Sequence, residues 1–171
     1  MRKRIVGQES LEVPSQNQNW LDLETVAQVE LSSEDRDHPI ESALLPKREG
    51  SWRASDSGQQ FIRLFFDEPL DIERIHLEFL ENTHSRTQEF VIICTAGRSR
   101  NALEIVRQQY CFNPLTTTSE IEDYRVELRG ITMLELKITP DISGGMACAS
   151  LEQLRLGEGP RKNKLSNPAG L

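Results

Sequence analysis

Nowhere in this chain do apolar residues run for the roughly 18 positions that a membrane-spanning helix needs, which excludes a transmembrane helix. The basic start Met1-Arg2-Lys3-Arg4 is not followed by the apolar stretch of a signal peptide, so export is not expected. Cysteine is scarce: Cys94, Cys111 and Cys148 are odd in number and form no CxxC pair. That leaves neither a disulfide framework nor a zinc ribbon, and it suits small buried hydrophobes in a reducing compartment; zinc binding or a thiolate nucleophile is the alternative. A cytoplasmic location is expected. Glycine, with 10 residues, builds no G-x-G-x-x-G, G-x-x-x-x-G-K or G-x-S-x-G, and there is no H-E-x-x-H and no N-x-[ST] sequon. No catalytic residue, metal-ligand set or cofactor follows from the sequence, so an enzyme is the least supported class.

The 171 residues are 37% hydrophobic and 27% charged, which suits one domain with a real core plus some solvated chain. The net charge of -7 is uneven. Residues 1–20 hold three bases and two acids, and the chain after 158 holds three bases alone, which leaves 14 bases against 25 acids between them. A body at -11 repels phosphate backbones, so nucleic acid is an unlikely partner. Residues 1–20 and 158–171 are rich in Gln, Asn, Ser, Gly and Pro, and are expected to be flexible flanks of a domain spanning 21–157.

Within that domain the recurring period is two. Ala27, Val29 and Leu31 alternate with Gln28 and Glu30; Ile62, Leu64 and Phe66 flank Arg63; Ile75, Leu77 and Phe79 oppose Arg74, His76 and Glu78. Asp67-Glu68-Pro69-Leu70-Asp71 between the last two runs reads as a turn. Further strands are expected at 89–95, 103–112, 124–128, 131–139 and 149–156, with Gly130 as a turn. A short helix is expected near 39–45, behind His38-Pro39. About eight half-buried strands predict an all-β, antiparallel sandwich, because a parallel sheet would bury both faces and lose the alternation.

The run Gly50-Ser51-Trp52-Arg53-Ala54-Ser55, then 59–66 with its Q-x-I-x-L-x-F pattern, then 69–75, resembles the galactose-binding-like superfamily. Tyr124, Val126 and Leu128, then 134–138, and the closing strand 149–156 with Glu152 continue the resemblance over residues 24–157. That superfamily includes discoidin domains, coagulation-factor C-type domains and carbohydrate-binding modules. The resemblance implies a jelly-roll sandwich and a ligand held by end loops. Relatives often carry an acidic, Gly-containing loop before the Trp that helps hold a structural calcium. Here that stretch is Leu45-Pro46-Lys47-Arg48-Glu49-Gly50, with two cations where calcium wants oxygen ligands, and Glu152 alone makes no site.

Three loops hold the candidate chemistry. Lys47, Arg48, Trp52 and Arg53 could stack a ring on a sugar or a base while cations meet phosphate or carboxylate, although a core plug and a solvated turn are the plainer readings. His84 and Arg86 in 81–88 could bind an anion or move a proton, or form an ordinary polar loop. Asp141 precedes the Gly144-Gly145 pair. On strands, His76 with Glu78 would need ligands from elsewhere to hold a metal, and 107–110 reads as a polar edge or a glycan-lining face. The fold should gather the loops at one end, so Arg48, Trp52, Arg53, His84, Arg86 and Asp141 are expected to border one site. Two functions remain open: a non-catalytic module recognising a carbohydrate or other polar or anionic ligand, and an intracellular protein-interaction or scaffold domain using a sheet face or edge.

Overall fold

A computed structural model describes residues 19–159; the expectations for 1–18 and 160–171 lie outside the described residues. The elements run α1 (Leu23–Val26), β1 (Ala27–Leu31), α2 (Glu41–Leu44), β2 (Trp52–Ser57), β3 (Gln60–Leu80), β4 (Arg86–Ala96), β5 (Leu103–Phe112), β6 (Ser119–Thr139), β7 (Cys148–Leu151) and β8 (Gln153–Glu158). Every strand pairing is antiparallel. The alternation read from the sequence is the burial pattern observed: Ile62, Leu64, Ile75, Leu77, Phe79, Phe90, Ile92, Leu134, Leu136 and Ile138 all point into one core.

The two longest strands make the sandwich. β3 and β6 each run 21 residues and pair with one another along their length. In a straight ribbon Phe79 would lie about 60 Å from Gln60, at about 3.3 Å per residue. Instead the Phe79 ring stacks on Phe90 with centroids 5.3 Å apart, and Phe90 is opposite Ile138, which is opposite Gln60. The ribbon therefore doubles over. Its first layer is β1, the start of β3, the end of β6, β4 and β5; its second is β8, the end of β3 and the start of β6, with the β2–β7 pair alongside.

This corrects two expected turns. Residues 67–71 and Gly130 do not reverse the chain; they are the bends at which β3 and β6 pass from one sheet to the other, marked by register shifts around Leu70 and Ile72. The bends are pinned together: the Gly130 N–H donates to Asp71 Oδ1 at 2.9 Å, and Gly130 takes φ +61°, where glycine carries no Cβ penalty. The strand count of eight is as expected, but its membership differs. β2 joins the count, the expected strand 149–156 divides into β7 and β8 at Glu152, and two pairs of expected strands fuse.

Near the start, the strand expected over 25–31 begins only at Ala27: Thr25 and Val26 belong to the helical turn 23–26, which forms because Asp22 accepts from the Glu24 N–H at 3.2 Å and the turn buries Leu23. The expected helix at 39–45 is α2, one turn long, which buries Ala43 and Leu44. Trp20 bridges to Gly157 in the backbone ladder, and the Gly159 N–H donates to Asp71 O, so both ends of the described chain are tied to the sheets.

Candidate binding pocket

At one end of the sandwich four segments surround a cavity of about 560 Å³. The β3–β4 loop contributes Glu81, His84 and Ser85, and leads into Arg86 at the start of β4. The β6–β7 loop contributes Asp141, Gly144, Gly145 and Met146. β2 contributes Arg53, and the β1–α2 loop contributes Asp35. Backbone bonds set these segments against one another: the Asp35 N–H donates to Arg53 O at 2.7 Å, the Arg53 N–H to His38 O at 3.2 Å, and the Ile142 N–H to Thr87 O at 2.8 Å.

Arg86 is the post of the pocket. Its side chain is 3% exposed. The guanidinium lies over the Phe112 ring at 4.8 Å, donates from Nε to Glu81 Oε1 at 3.0 Å, and donates from Nη1 to Gln88 Oε1 at 3.0 Å and Pro140 O at 2.6 Å. It thereby ties the β3–β4 loop to the β6–β7 loop through one planar fork. Nη2 has no partner among the described residues. Arg53 offers more: its guanidinium is exposed and makes no side-chain bond among the described residues. His84 Nδ1 lies 2.8 Å from Thr83 Oγ1 and 3.8 Å from Glu81 Oε1, and its side chain is largely exposed at the pocket.

The acids of the pocket are largely spoken for. Asp141 Oδ1 accepts from the Ser143 hydroxyl and N–H at 2.7 and 3.0 Å, which, with the charge of Arg86, holds its carboxyl below the usual range. Asp35 is likewise held low, chiefly by the Asp37 N–H at 2.9 Å and then by His38 and Arg53, and its Oδ2 is unused. Gly144 and Gly145 take φ +90° and +93°, which lets the loop curl back beside Asp141.

Of the six candidate residues, Arg53, His84, Arg86 and Asp141 line the pocket together. Two do not. Trp52 is fully buried opposite Leu151 and belongs to the core, because alternation along β2 sends Trp52 and Ala54 inward and Arg53 outward. Arg48 lies on the exposed 45–51 loop and is not among the lining residues. The loop 47–53 thus contributes to the pocket through Arg53 alone. Asp35 and Glu81 were not singled out in the sequence. Glu81 sits five residues before Arg86, a spacing that an ion pair across a short loop could have suggested; Asp35 gave no local signal.

The other candidates resolve as structure. His76 lies between Glu78 Oε1 at 2.8 Å and Asp123 Oδ2 at 3.4 Å, where Asp123 is held by Arg74. Among the described residues no three His, Cys, Asp or Glu side chains gather as a metal site. Residues 107–110 form part of the edge strand β5, with Arg107 and Gln109 both bonded to Glu89. The expectation that both strand cysteines are buried holds for Cys94, whose thiol is pushed up to about 12 by burial, and fails for Cys111. Tyr110 and Phe112 take the inward face of β5, so the intervening Cys111 must face out. No helix among the described residues is long and apolar enough to cross a membrane.

No family model and no curated protein matches the sequence. Solved structures do match. The module CBM32-3 from a family 31 glycoside hydrolase of Clostridium perfringens aligns at TM-score 0.60 and 16% identity, over 82% of this chain and 95% of that one. The family 32 CBM of C. perfringens NanJ, solved in complex with galactose, aligns at 0.58 and 14% over 82% and 99%. A pectin-binding carbohydrate-binding module aligns at 0.56 and 14% over 80% and 93%. With the doubled β3–β6 ribbon, this likeness shows that the chain shares the antiparallel β-sandwich fold of these carbohydrate-binding modules.

Proposed function

We propose that this chain is a non-catalytic binding module whose end pocket takes a carbohydrate or a similarly polyhydroxylated ligand. One observation carries the reading: Arg53, Arg86 and His84 line a single cavity of about 560 Å³ together with the carboxylates of Asp35 and Asp141, so donors and acceptors surround one space. Hydroxyl groups donate and accept at once, so a ligand bearing several of them suits a pocket of mixed polarity. Met146, 84% exposed at the rim, supplies an apolar surface for the C–H face of a sugar. The fold neighbours solved with galactose or described as pectin-binding support the same class of ligand.

A glycan array followed by calorimetric titration of galactose and N-acetylgalactosamine tests this. Arg53→Ala is expected to weaken the best ligand about tenfold, the loss that follows one charge-assisted hydrogen bond, and His84→Ala is expected to weaken it less. An array with no bound glycan overturns the reading. A second reading, an intracellular interaction domain, is supported by the apolar groove of about 190 Å³ between α1, β1 and α2, where Val29 on the edge strand is exposed. Val29→Glu would then abolish capture of a protein partner by the full chain while sparing sugar binding; unchanged capture would discard it. The free thiols Cys94, Cys111 and Cys148 support a reducing, cytoplasmic compartment, which cell fractionation checks.

A further inference from the structure

Behind the pocket, the open edge between the two sheets holds a polar slot. Glu120, Glu122 and Tyr124 stand opposite Phe79, Leu77 and Ile75 in the β3–β6 register, and so share their inward face. From the facing sheet come Gln88 and Tyr110, paired across β4 and β5, and the Tyr110 hydroxyl donates to Ser119 O at 2.8 Å beside Glu120. Glu120 is 2% exposed. Neither of its carboxylate oxygens, nor Gln88 Nε2, nor the Tyr124 hydroxyl, has a hydrogen-bond partner among the described residues. An ionised carboxylate in such a place is strongly disfavoured. Burial first, and Glu122 second, push the Glu120 carboxyl up to about 8 against the pull of Arg86.

Arg86 stands between two claimants. Glu81, which it already engages, follows Phe79 by two positions, and the Glu81 N–H donates to Thr118 O at 2.7 Å. Phe79 is the cross-strand partner of Glu120, so the two carboxylates stand one rung apart, with Leu80 and Ser119 between them, on the same face of one ladder. Gln88, whose Oε1 is tied to Arg86 and whose Nε2 is unused, lines the slot between them. The charged and titratable groups facing Glu120 are therefore Glu81, Arg86, Tyr110, Glu122 and Tyr124.

We propose that Glu120 is a positioning residue for Arg86: neutral, it leaves Nη2 to the pocket, and ionised, it draws that nitrogen into the slot and weakens binding. The proton lost goes to solvent, and the guanidinium moves without changing its own charge. The inference rests on the pocket being the binding site proposed above.

The side-chain resonances of Arg86 in the ligand-free full chain, followed by NMR across pH, test the positioning directly. They are expected to shift with a midpoint near pH 8 in the wild type and to stay still in Glu120→Gln. Galactose titrated by NMR should bind the wild type about tenfold more weakly at about pH 9 than at about pH 7, because the competent form falls to about a tenth of molecules one unit above the midpoint. Glu120→Gln should keep the lower-pH affinity throughout. Arg86 resonances that do not titrate, or that titrate alike in Glu120→Gln, overturn the proposal. If Arg86 titrates as described and galactose binds at no pH, the positioning stands and the carbohydrate reading falls.

Discussion

The inner and outer faces of β4 and β5 carry much the same chemistry with opposite consequences. Inside, Arg86 pairs with Glu81 at 3.0 Å, with side chains 3% and 13% exposed. Outside, Arg107 pairs with Glu89 at 2.7 Å, and its side chain is 53% exposed. The shorter bond is the weaker contributor. Water already solvates Arg107 and Glu89 when they part, whereas Arg86 and Glu81 parted would each be left buried with an unmet charge. The cysteines divide in the same way, Cys94 inward and Cys111 outward. Position between the sheets, and not residue type, decides what each group is worth.

The largest effect that sharpens this comparison comes from Arg86→Met. Removing the guanidinium strands Glu81 and frees the β6–β7 loop, and a loss of about 3–5 kcal/mol in denaturant unfolding is expected. A loss under about 1 kcal/mol would break the contrast.

Next is Glu120→Gln, which should stabilise the protein. The folded carboxyl is raised to about 8 from its ordinary 4.5. Such a group penalises folding by nothing below the unfolded value, increasingly as pH rises between the two, and fully above the higher one. The gain from Gln should therefore be near zero at about pH 4.5 and reach at most about 3 kcal/mol at pH 7, at about 1.4 kcal/mol per unit. Melting curves at the two pH values check both sign and slope; an equal gain at both would mean that titration is not its source.

Arg107→Ala should leave the midpoint of chemical denaturation almost unchanged, and added salt should erase any difference. A cost near that of Arg86→Met would show the outer pair to be structurally essential. The smallest effect concerns the thiols. In the native protein a thiol reagent should label Cys111 promptly and leave the melting temperature unchanged, while Cys94 should react only on unfolding. Prompt labelling of Cys94 would place a solvent path through the core.

Much of this architecture was legible before folding. Period-two alternation at Ile62–Leu64–Phe66, Ile75–Leu77–Phe79 and Leu134–Leu136–Ile138 marks a strand with one buried face whatever its partners are, and each of these residues is in the core. The pocket was legible in part. Arg53, His84, Arg86 and Asp141 stood out because cations, an imidazole and an Asp shortly before a Gly pair are unusual enough to notice. Trp52 stood out for the same reason and misled: a ring beside cations looks the same in sequence whether it faces water or fills the core.

The amino-acid order by itself determined that the chain would form half-buried antiparallel strands, since alternation is a property of neighbours along one strand. Tertiary structure alone decided that 67–71 and Gly130 are bends in continuous strands, because a Pro and Asp-rich stretch serves a reversal or a bend equally well until a partner such as Asp71 meets the Gly130 N–H across 59 positions. It alone brought Asp35 beside Arg53 and joined Glu81, two positions beyond the cross-strand partner of Glu120, to Arg86. Burial and electrostatic competition depend on distances through space, and residues 54 positions apart in the chain, as Arg86 and Pro140 are, carry no local sign that they will meet.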